Sequence, residues 1–245
     1  MLALQTTYIS ETGQRKRNED TCGYWTSDTA CCWVVSDGAG GHGSGDIASQ
    51  LVVDTTLTQF EARPEISQQV VTDLTTGAHA AVMDHKHRNP LGDDMHATVA
   101  ILLIDAETRQ AVWANVGDTR IYLFRRGKVT MQTRDHSLVQ QLIDAGYGST
   151  DIIRSHPQRN MLTSAIGTGD DMVISVSGAP TLVEEGDVFL MCTDGWWEYV
   201  EEHVMEEMLA DATTTEEWLQ VMARQVEASA KENADNYTAI AVQVR

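Results

Sequence analysis

Residues 36–45 constrain this chain more than any other stretch. The apolar run Cys31-Cys32-Trp33-Val34-Val35 reads as a buried strand that delivers Asp37 to its lip. Five of the eight residues after Asp37 are glycine, so the backbone can turn tightly there and approach another group closely. Ile47, Leu51 and Val52 then resume at helical spacing. A carboxylate closing a strand beside exposed backbone is a sound beginning for a hard-cation site.

The same stretch contains a decoy. Gly38-Ala39-Gly40-Gly41-His42-Gly43 fits G-x-G-x-x-G between a strand and a helix, the phosphate turn of dinucleotide-binding proteins. That arrangement needs a second parallel strand soon after the helix, ending in an acid for the ribose. Residues 64–88 carry a second helical pattern instead, and the next strand pattern starts near Ala97. Asp37 would also face a pyrophosphate with no counter-charge. The match does not support a dinucleotide site.

Strand patterns cover residues 2–9, 21–26 and 30–36, ahead of two amphipathic helices. The first helix puts Ile47, Leu51 and Thr55 on one face; the second puts Ile66, Val70, Leu74, Ala78 and Val82 there, and Asn89-Pro90-Leu91-Gly92 stops it. Between Ala97 and Thr133 the period turns extended. Residues 97–104, 110–116, 120–124 and 129–132 read as a four-stranded antiparallel meander. A short helix over 137–145 leads into residues 146–172, which are rich in Gly, Ser, Thr and Asp and carry little periodicity; a loop of that length is usually functional or mobile. Strands follow at 173–176 and 187–192, helices at 201–210 and 215–230 (with Trp218, Met222 and Val226 on one face), and a closing strand at 237–244. Neither a repeat nor a linker interrupts this order, which predicts one domain over 1–245. Two runs of strands with paired helices predict an α+β fold, a four-layer αββα sandwich of two mostly antiparallel sheets flanked by helices.

Charge narrows the function classes. With 17 Lys and Arg against 36 Asp and Glu, the formal net charge is −19. Such a field disfavours nucleic acid, whose binding needs clustered cations, and equally an anionic membrane surface. It suits either plain solubility or a set of acids neutralised by metal. The first residues lack a basic segment followed by an apolar one, so no signal peptide is expected. Cys22, Cys31, Cys32 and Cys192 show no C-x-x-C spacing, and none has an arginine six residues on. Reduced thiols in a cytoplasmic protein are expected, without a cysteine-nucleophile phosphatase loop.

Acids recur at the strand ends and turns: Glu19-Asp20, Asp37-Gly38, Gly117-Asp118, Asp194-Gly195 and Asp235-Asn236. Each Asp-Gly pair alone reads as readily as a turn. Five such sites, with an arginine-rich segment beside the first, can converge at one end of a sandwich. Convergent carboxylates repel unless cations neutralise them or some stay protonated. Oxygen-only ligands favour Mg²⁺ or Mn²⁺. Two such ions could activate a bridging water and clamp a phosphoryl group for in-line attack.

The ordered set Arg15-x-x-Asn18-Glu19-Asp20, Ser36-Asp37-Gly38-x-Gly40-Gly41-His42, Gly117-Asp118-Thr119-Arg120, Asp135-His136-Ser137, Thr193-Asp194-Gly195 and Asp235-Asn236 resembles the metal-dependent protein phosphatases of type 2C, in their compact bacterial branch. The resemblance implies an enzyme that hydrolyses phosphoserine and phosphothreonine in proteins at a binuclear Mn²⁺ or Mg²⁺ centre, with a possible third ion. It implies that Asp37 bridges the two metals, that Asp194 and Asp235 complete the first site, and that Glu19 and the Gly38 carbonyl serve the second. Asp118 with Asp194 would hold the weaker third ion. Arg15 would bind the substrate phosphate, Asp20 would orient water, and Asn236 would support the ligands from behind. Residues 146–172 fall where the family places a variable flap.

Two departures stand out. Ala39 occupies the place where many animal members carry a histidine proposed as general acid. His42, three residues on, is not given that role; it reads as a supporting residue behind the ligands or as a packed or capping histidine. Trp196-Trp197-Glu198 replaces the Asp that the family usually has after Asp194-Gly195, and the tryptophans read as packing. His85 and His87 read as a solvated helix face, and His96 and His156 show no identifiable partner. The expected partners are phosphoproteins and a cognate Ser/Thr kinase pathway, with control of type VI secretion as one setting, and the chain is expected to be a monomer. The alternative is a non-catalytic, phosphoprotein-binding scaffold of the same fold. A metal-dependent phosphodiesterase or nuclease conflicts with the charge.

Overall fold

The computed structural model describes residues 2–40, 44–89, 94–169, 171–230 and 234–245. Within them, strands form two antiparallel sheets. One is built from β1 (Leu4–Glu11), β7 (Arg120–Arg125), β8 (Lys128–Gln132), β11 (Val188–Cys192) and β12 (Tyr237–Val244), in the order β1-β12-β11-β7-β8. The other uses β2 (Asp20–Thr26), β3 (Ala30–Ala39), β5 (Val99–Asp105), β6 (Gln110–Val116) and β10 (Thr181–Leu182), in the order β10-β6-β5-β3-β2. Two short strands, β4 (His96–Ala97) and β9 (Ser175–Val176), add to β3 and β6.

The sheets face each other across Trp33, Val35, Leu102, Ile121, Phe189 and Ile240. Helices α1 (Gly45–Ala62) and α2 (Gln68–Arg88) cover the outer face of the second sheet through Val52, Phe60, Leu74, Ala78 and Val82. Helices α5 (Glu202–Asp211) and α6 (Thr215–Ser229) cover the first through Met205, Trp218, Met222 and Val226. This is the expected αββα sandwich. Strand β5 is buried on both faces, so its sequence runs apolar without alternation. Ser67 caps α2 by accepting the Val70 N–H, and Thr214 caps α6 by accepting that of Glu217. Two short helices, α3 (Leu138–Asp144) and α4 (Asp194–Trp197), are the remaining α-helices among the described residues. All four cysteines are free thiols, and among the described residues no helix is long and apolar enough to cross a membrane.

Two expectations need correction. The four strands between Ala97 and Thr133 are not one meander: β5 and β6 pair in one sheet, β7 and β8 in the other. The chain changes sheet at Gly117-Asp118-Thr119, where Gly117 takes φ 91°. Hydrophobic period reports that a strand is half-buried, not which sheet it joins. The buried face of α1 is also displaced. Ile47 is 43 % exposed, and the inward residues are Ala48, Val52, Thr56 and Phe60. Ala48 and Thr56 carry small side chains on that face, and the Thr56 hydroxyl donates to the Val52 carbonyl, so a hydroxyl sits inside at no hydrogen-bonding cost. The stop expected over residues 89–92 lies mostly outside the described residues. Among the described residues of 146–172 the regular structure is one 3₁₀ turn, Thr150–Ile152, with isolated bridges at Leu162 and Ile166.

Candidate active site

Strand ends from both sheets converge on a cavity of about 560 Å³ lined by Arg15, Glu19, Asp37, Gly38, Asp118, Asp194 and Asp235. Asp37 lies two residues before the end of β3 and stands opposite Asp20 in the β2–β3 register. Asp118 sits on the crossing between the sheets, Asp194 opens α4 two residues after the end of β11, and Asp235 lies two residues before β12. Asp20 and Asn236 stand behind this wall. His42 lies outside the described residues.

Hydrogen bonds from distant parts of the chain hold Asp37, Asp20 and Glu19. The Asp37 N–H donates to Thr98 Oγ1 at 3.0 Å, and the Thr98 N–H donates to the Asp37 carbonyl at 2.8 Å. Asp20 Oδ2 accepts from Thr193 Oγ1 at 2.9 Å, tying the end of β11 to β2. Asn236 accepts the Glu19 N–H through Oδ1 at 2.8 Å and donates through Nδ2 to the carbonyls of Thr12 and Arg17, both at 2.8 Å. It thereby staples the Arg15 segment to the start of β12. Gly38 is needed where it stands: its N–H donates to the Glu19 carbonyl at 3.0 Å, and a Cβ there would collide with the Gly45 carbonyl at the start of α1.

The acids disturb one another. Burial, then the charges of Asp20, Asp194, Asp118 and Asp235, push Asp37 well above the ordinary carboxylate range. Asp194 is pushed up by burial and then by Asp118 and Glu198. Burial raises Asp20 to about 7 against the lowering effect of the Thr193 and Thr238 bonds. Asp118 also rises to about 7, through burial and then Asp135. Glu19 is raised by burial and by Asp46 and Asp235. Carboxyls so displaced gain from any added positive charge.

Among the described residues no three acid, histidine or cysteine side chains close on one point in the manner of a formed metal cage. The acids stand around the cavity wall, and Arg15 holds Asp235 through a 2.8 Å bond. Asp194 Oδ1 is buried with no hydrogen-bond partner. An orphaned carboxylate oxygen within an all-oxygen donor set, where burial and then mutual repulsion push Asp37, Asp118, Asp194 and Glu19 toward protonation, fits a hard divalent cation.

The rest of the cavity lining was not legible as a site. It includes His96, Thr98 and residues from Asn160 to Thr168. His96 faces Ala39 in the β3–β4 register. Along β3, Ala39 shares a sheet face with Asp37, so His96 projects its imidazole on that face too. Its Nδ1 bonds the Asp94 carbonyl at 2.7 Å, which assigns the proton of the neutral ring to Nδ1. The sequence signal was a histidine two residues before Thr98, and only the register gives it meaning.

Residues 10–237 match the family model described as protein phosphatase 2C. The chain belongs to the protein phosphatase 2C family. The serine/threonine phosphatase Stp of Listeria innocua is 30 % identical over 239 residues, covering 94 % of this chain and 91 % of that protein. PppA of Pseudomonas aeruginosa, described as a key regulatory component of the T6SS, is 27 % identical with a TM-score of 0.78, covering 99 % of this chain and 98 % of that one. The catalytic domain of the phosphatase PstP, solved with two manganese ions, shares the fold at 23 % identity and a TM-score of 0.85, covering 100 % of this chain and 99 % of that one. The type 2C resemblance of the motifs and the layered architecture thus agree with the family.

Proposed function

We propose that this type 2C family member hydrolyses phosphoserine and phosphothreonine in proteins, using a water activated at a binuclear Mn²⁺ or Mg²⁺ centre. The observation that carries the reading is the convergence of Asp37, Asp118, Asp194, Asp235 and Glu19 on one cavity with a guanidinium at its edge. Asp37 would bridge two ions, with Asp194 and Asp235 on one, and Glu19 and the Gly38 carbonyl on the other. Asp118 and Asp194 would hold a weaker third ion. Such ions, when bound, lower the pKa of water and neutralise charge on the phosphoryl group.

The chain's own residues do the rest. Arg15 has a half-exposed side chain, so its fork can turn from Asp235 to two oxygens of the incoming phosphate. Asp20, buried behind Asp37 and fixed by Thr193, orients water entering between the acids. The departing serine or threonine oxygen needs a proton as its bond to phosphorus breaks. In this reading the Nε2–H of a doubly protonated His96 supplies it, leaving the neutral ring with its proton on Nδ1, where it stays bonded to Asp94. The neutral wall from Asn160 to Thr168 receives the peptide beside the phosphoresidue.

The finer setting is a cytoplasmic monomer reversing a Ser/Thr kinase, and the likeness to PppA supports a place in type VI secretion control. The test is hydrolysis of a phosphothreonine peptide after chelation, then with Mn²⁺ or Mg²⁺ restored. Activity lost with chelator and regained with the ion supports the reading. A folded protein inactive with every divalent ion rejects it in favour of a phosphoprotein-binding scaffold.

A further inference from the structure

Trp197 stands in the stretch that departs from the family pattern, and it does more than fill space. It is 2 % exposed, and its indole Nε1 donates to the main-chain carbonyl of Asp118 at 2.9 Å. On the other side of that turn, His136 holds Gly117 twice: its N–H donates to the Gly117 carbonyl at 2.8 Å, and its Nδ1 accepts the Gly117 N–H at 3.1 Å. Three main-chain groups around the Asp118 side chain, the Gly117 N–H and carbonyl and the Asp118 carbonyl, are therefore fixed by two residues from distant segments.

Trp197 is itself held from the segment that precedes the cavity's neutral wall. Arg154 Nε donates to the Trp197 carbonyl at 2.8 Å, and its NH2 donates to both Glu202 oxygens at 2.9 Å. The Arg120 guanidinium stacks 3.5 Å from the centre of the indole. Arg120 is locked by Asp135 through bonds of 2.8 and 2.7 Å. Tyr122 joins the two arginine systems, accepting from Arg120 at 3.0 Å and donating to Glu202 at 3.1 Å. Next to Trp197, Glu198 pairs with Arg159.

We infer that Trp197 is a positioning residue that couples the segment around Arg154 to the turn carrying Asp118. When Arg154 withdraws, the Trp197 carbonyl loses its donor and Glu202 its bidentate partner, so the end of α4 relaxes and the indole N–H leaves Asp118. A buried carbonyl left without a donor is costly, so the turn follows. Coupling between two sites is reciprocal: drawing Asp118 toward a cation pulls on the indole and orders the Arg154 segment. The consequence for ion binding rests on the reading of Asp118 given above; the coupling itself does not.

The test compares the full-length wild type with Arg154→Met and Trp197→Phe by amide hydrogen exchange, in chelator and in Mn²⁺, with Mn²⁺ binding followed by calorimetry. Arg154→Met should speed exchange both over residues 150–160 and in the peptide spanning 113–120. It should also weaken the lowest-affinity class of Mn²⁺ binding by roughly five- to tenfold. Trp197→Phe keeps the ring over Arg120 and should loosen 113–120 to the same degree. Faster exchange confined to 150–160, with 113–120 unmoved, overturns the inference. Should Trp197→Phe fail to fold, Arg154→Met decides alone, since that side chain is 21 % exposed. Asp118→Asn separates the two claims. If it leaves every class of Mn²⁺ binding unchanged, Asp118 is no ligand, while exchange at 113–120 in chelator still decides the coupling.

Discussion

Asp118→Asn should stabilise the metal-free protein at pH 8 and do so much less at pH 5.5. Asp118 is 5 % exposed, and burial, then Asp135, lifts its carboxyl from 3.8 to about 7. Between those two values the folded chain keeps a proton that the unfolded chain has released. Stability contributed by this group therefore falls as pH rises through that window and levels off above the folded value. A displacement of this size corresponds to about 4 kcal/mol once the group is fully ionised, of which about 2 kcal/mol is already present at pH 5.5. Asparagine carries neither charge nor titration, so the gain from the substitution should be about 2 kcal/mol larger at pH 8. For a chain of 245 residues the entropy of unfolding is about 0.5 kcal/mol/K, making that difference about 4 °C in Tm.

The assay is a thermal melt of both proteins in chelator at the two pH values. Groups that do not feel the Asp118 charge cancel in the comparison, while Asp37 and Asp194, which that charge helps to push up, are relieved by the substitution and add to the gain at pH 8. Mn²⁺ should reverse the order at pH 8, because the ionised carboxylate becomes an asset when it faces a cation. An Asn variant whose Tm offset is the same at both pH values, or more destabilising at pH 8, would refute the reasoning.

Three further outcomes follow from the same geometry. Arg15→Ala should raise KM for a phosphothreonine peptide roughly tenfold or more with little change in Tm, and Arg15→Lys should recover only part because the planar fork is gone; an unchanged KM would remove Arg15 from phosphate binding. His96→Ala should lower turnover of a phosphothreonine peptide by roughly a hundredfold while hardly affecting an aryl phosphate, whose leaving group needs no proton; equal losses on both substrates would dismiss His96 as the proton donor. Asp135→Asn takes from Arg120 its bidentate counter-charge, leaving Glu202 at 3.6 Å, in a site where the Arg120 and Asp135 side chains are almost fully buried. It should cost about 3 kcal/mol, read as a drop of about 6 °C in Tm, whereas the double change Arg120→Met with Asp135→Leu should restore most of it; a single variant that melts like wild type would show the pair to be dispensable.

The sequence made some of this site legible and concealed the rest, and the division has a physical basis. Asp37, Asp194 and Asp235 announce themselves because each borders an apolar strand and two of them are followed by glycine, all of it local information. The sandwich is legible for the same reason, since paired helices between runs of strands leave few other layerings. What was misread depends on partners far along the chain. The β6–β7 turn looks like any hairpin until β7 is seen in the other sheet, and that change of sheet is what presents Asp118 to the cavity. His96 had no identifiable partner because its meaning comes from facing Ala39. Trp197 read as packing because an indole is mostly hydrocarbon, while the carbonyl it serves lies 79 positions away. The acids are thus a local motif, and their placement is a long-range property carried by His136, Asn236, Thr193 and Trp197. A relative could keep every acid of the pattern and still lose the site by changing one of those supports, so an intact motif is necessary for this chemistry without being sufficient for it.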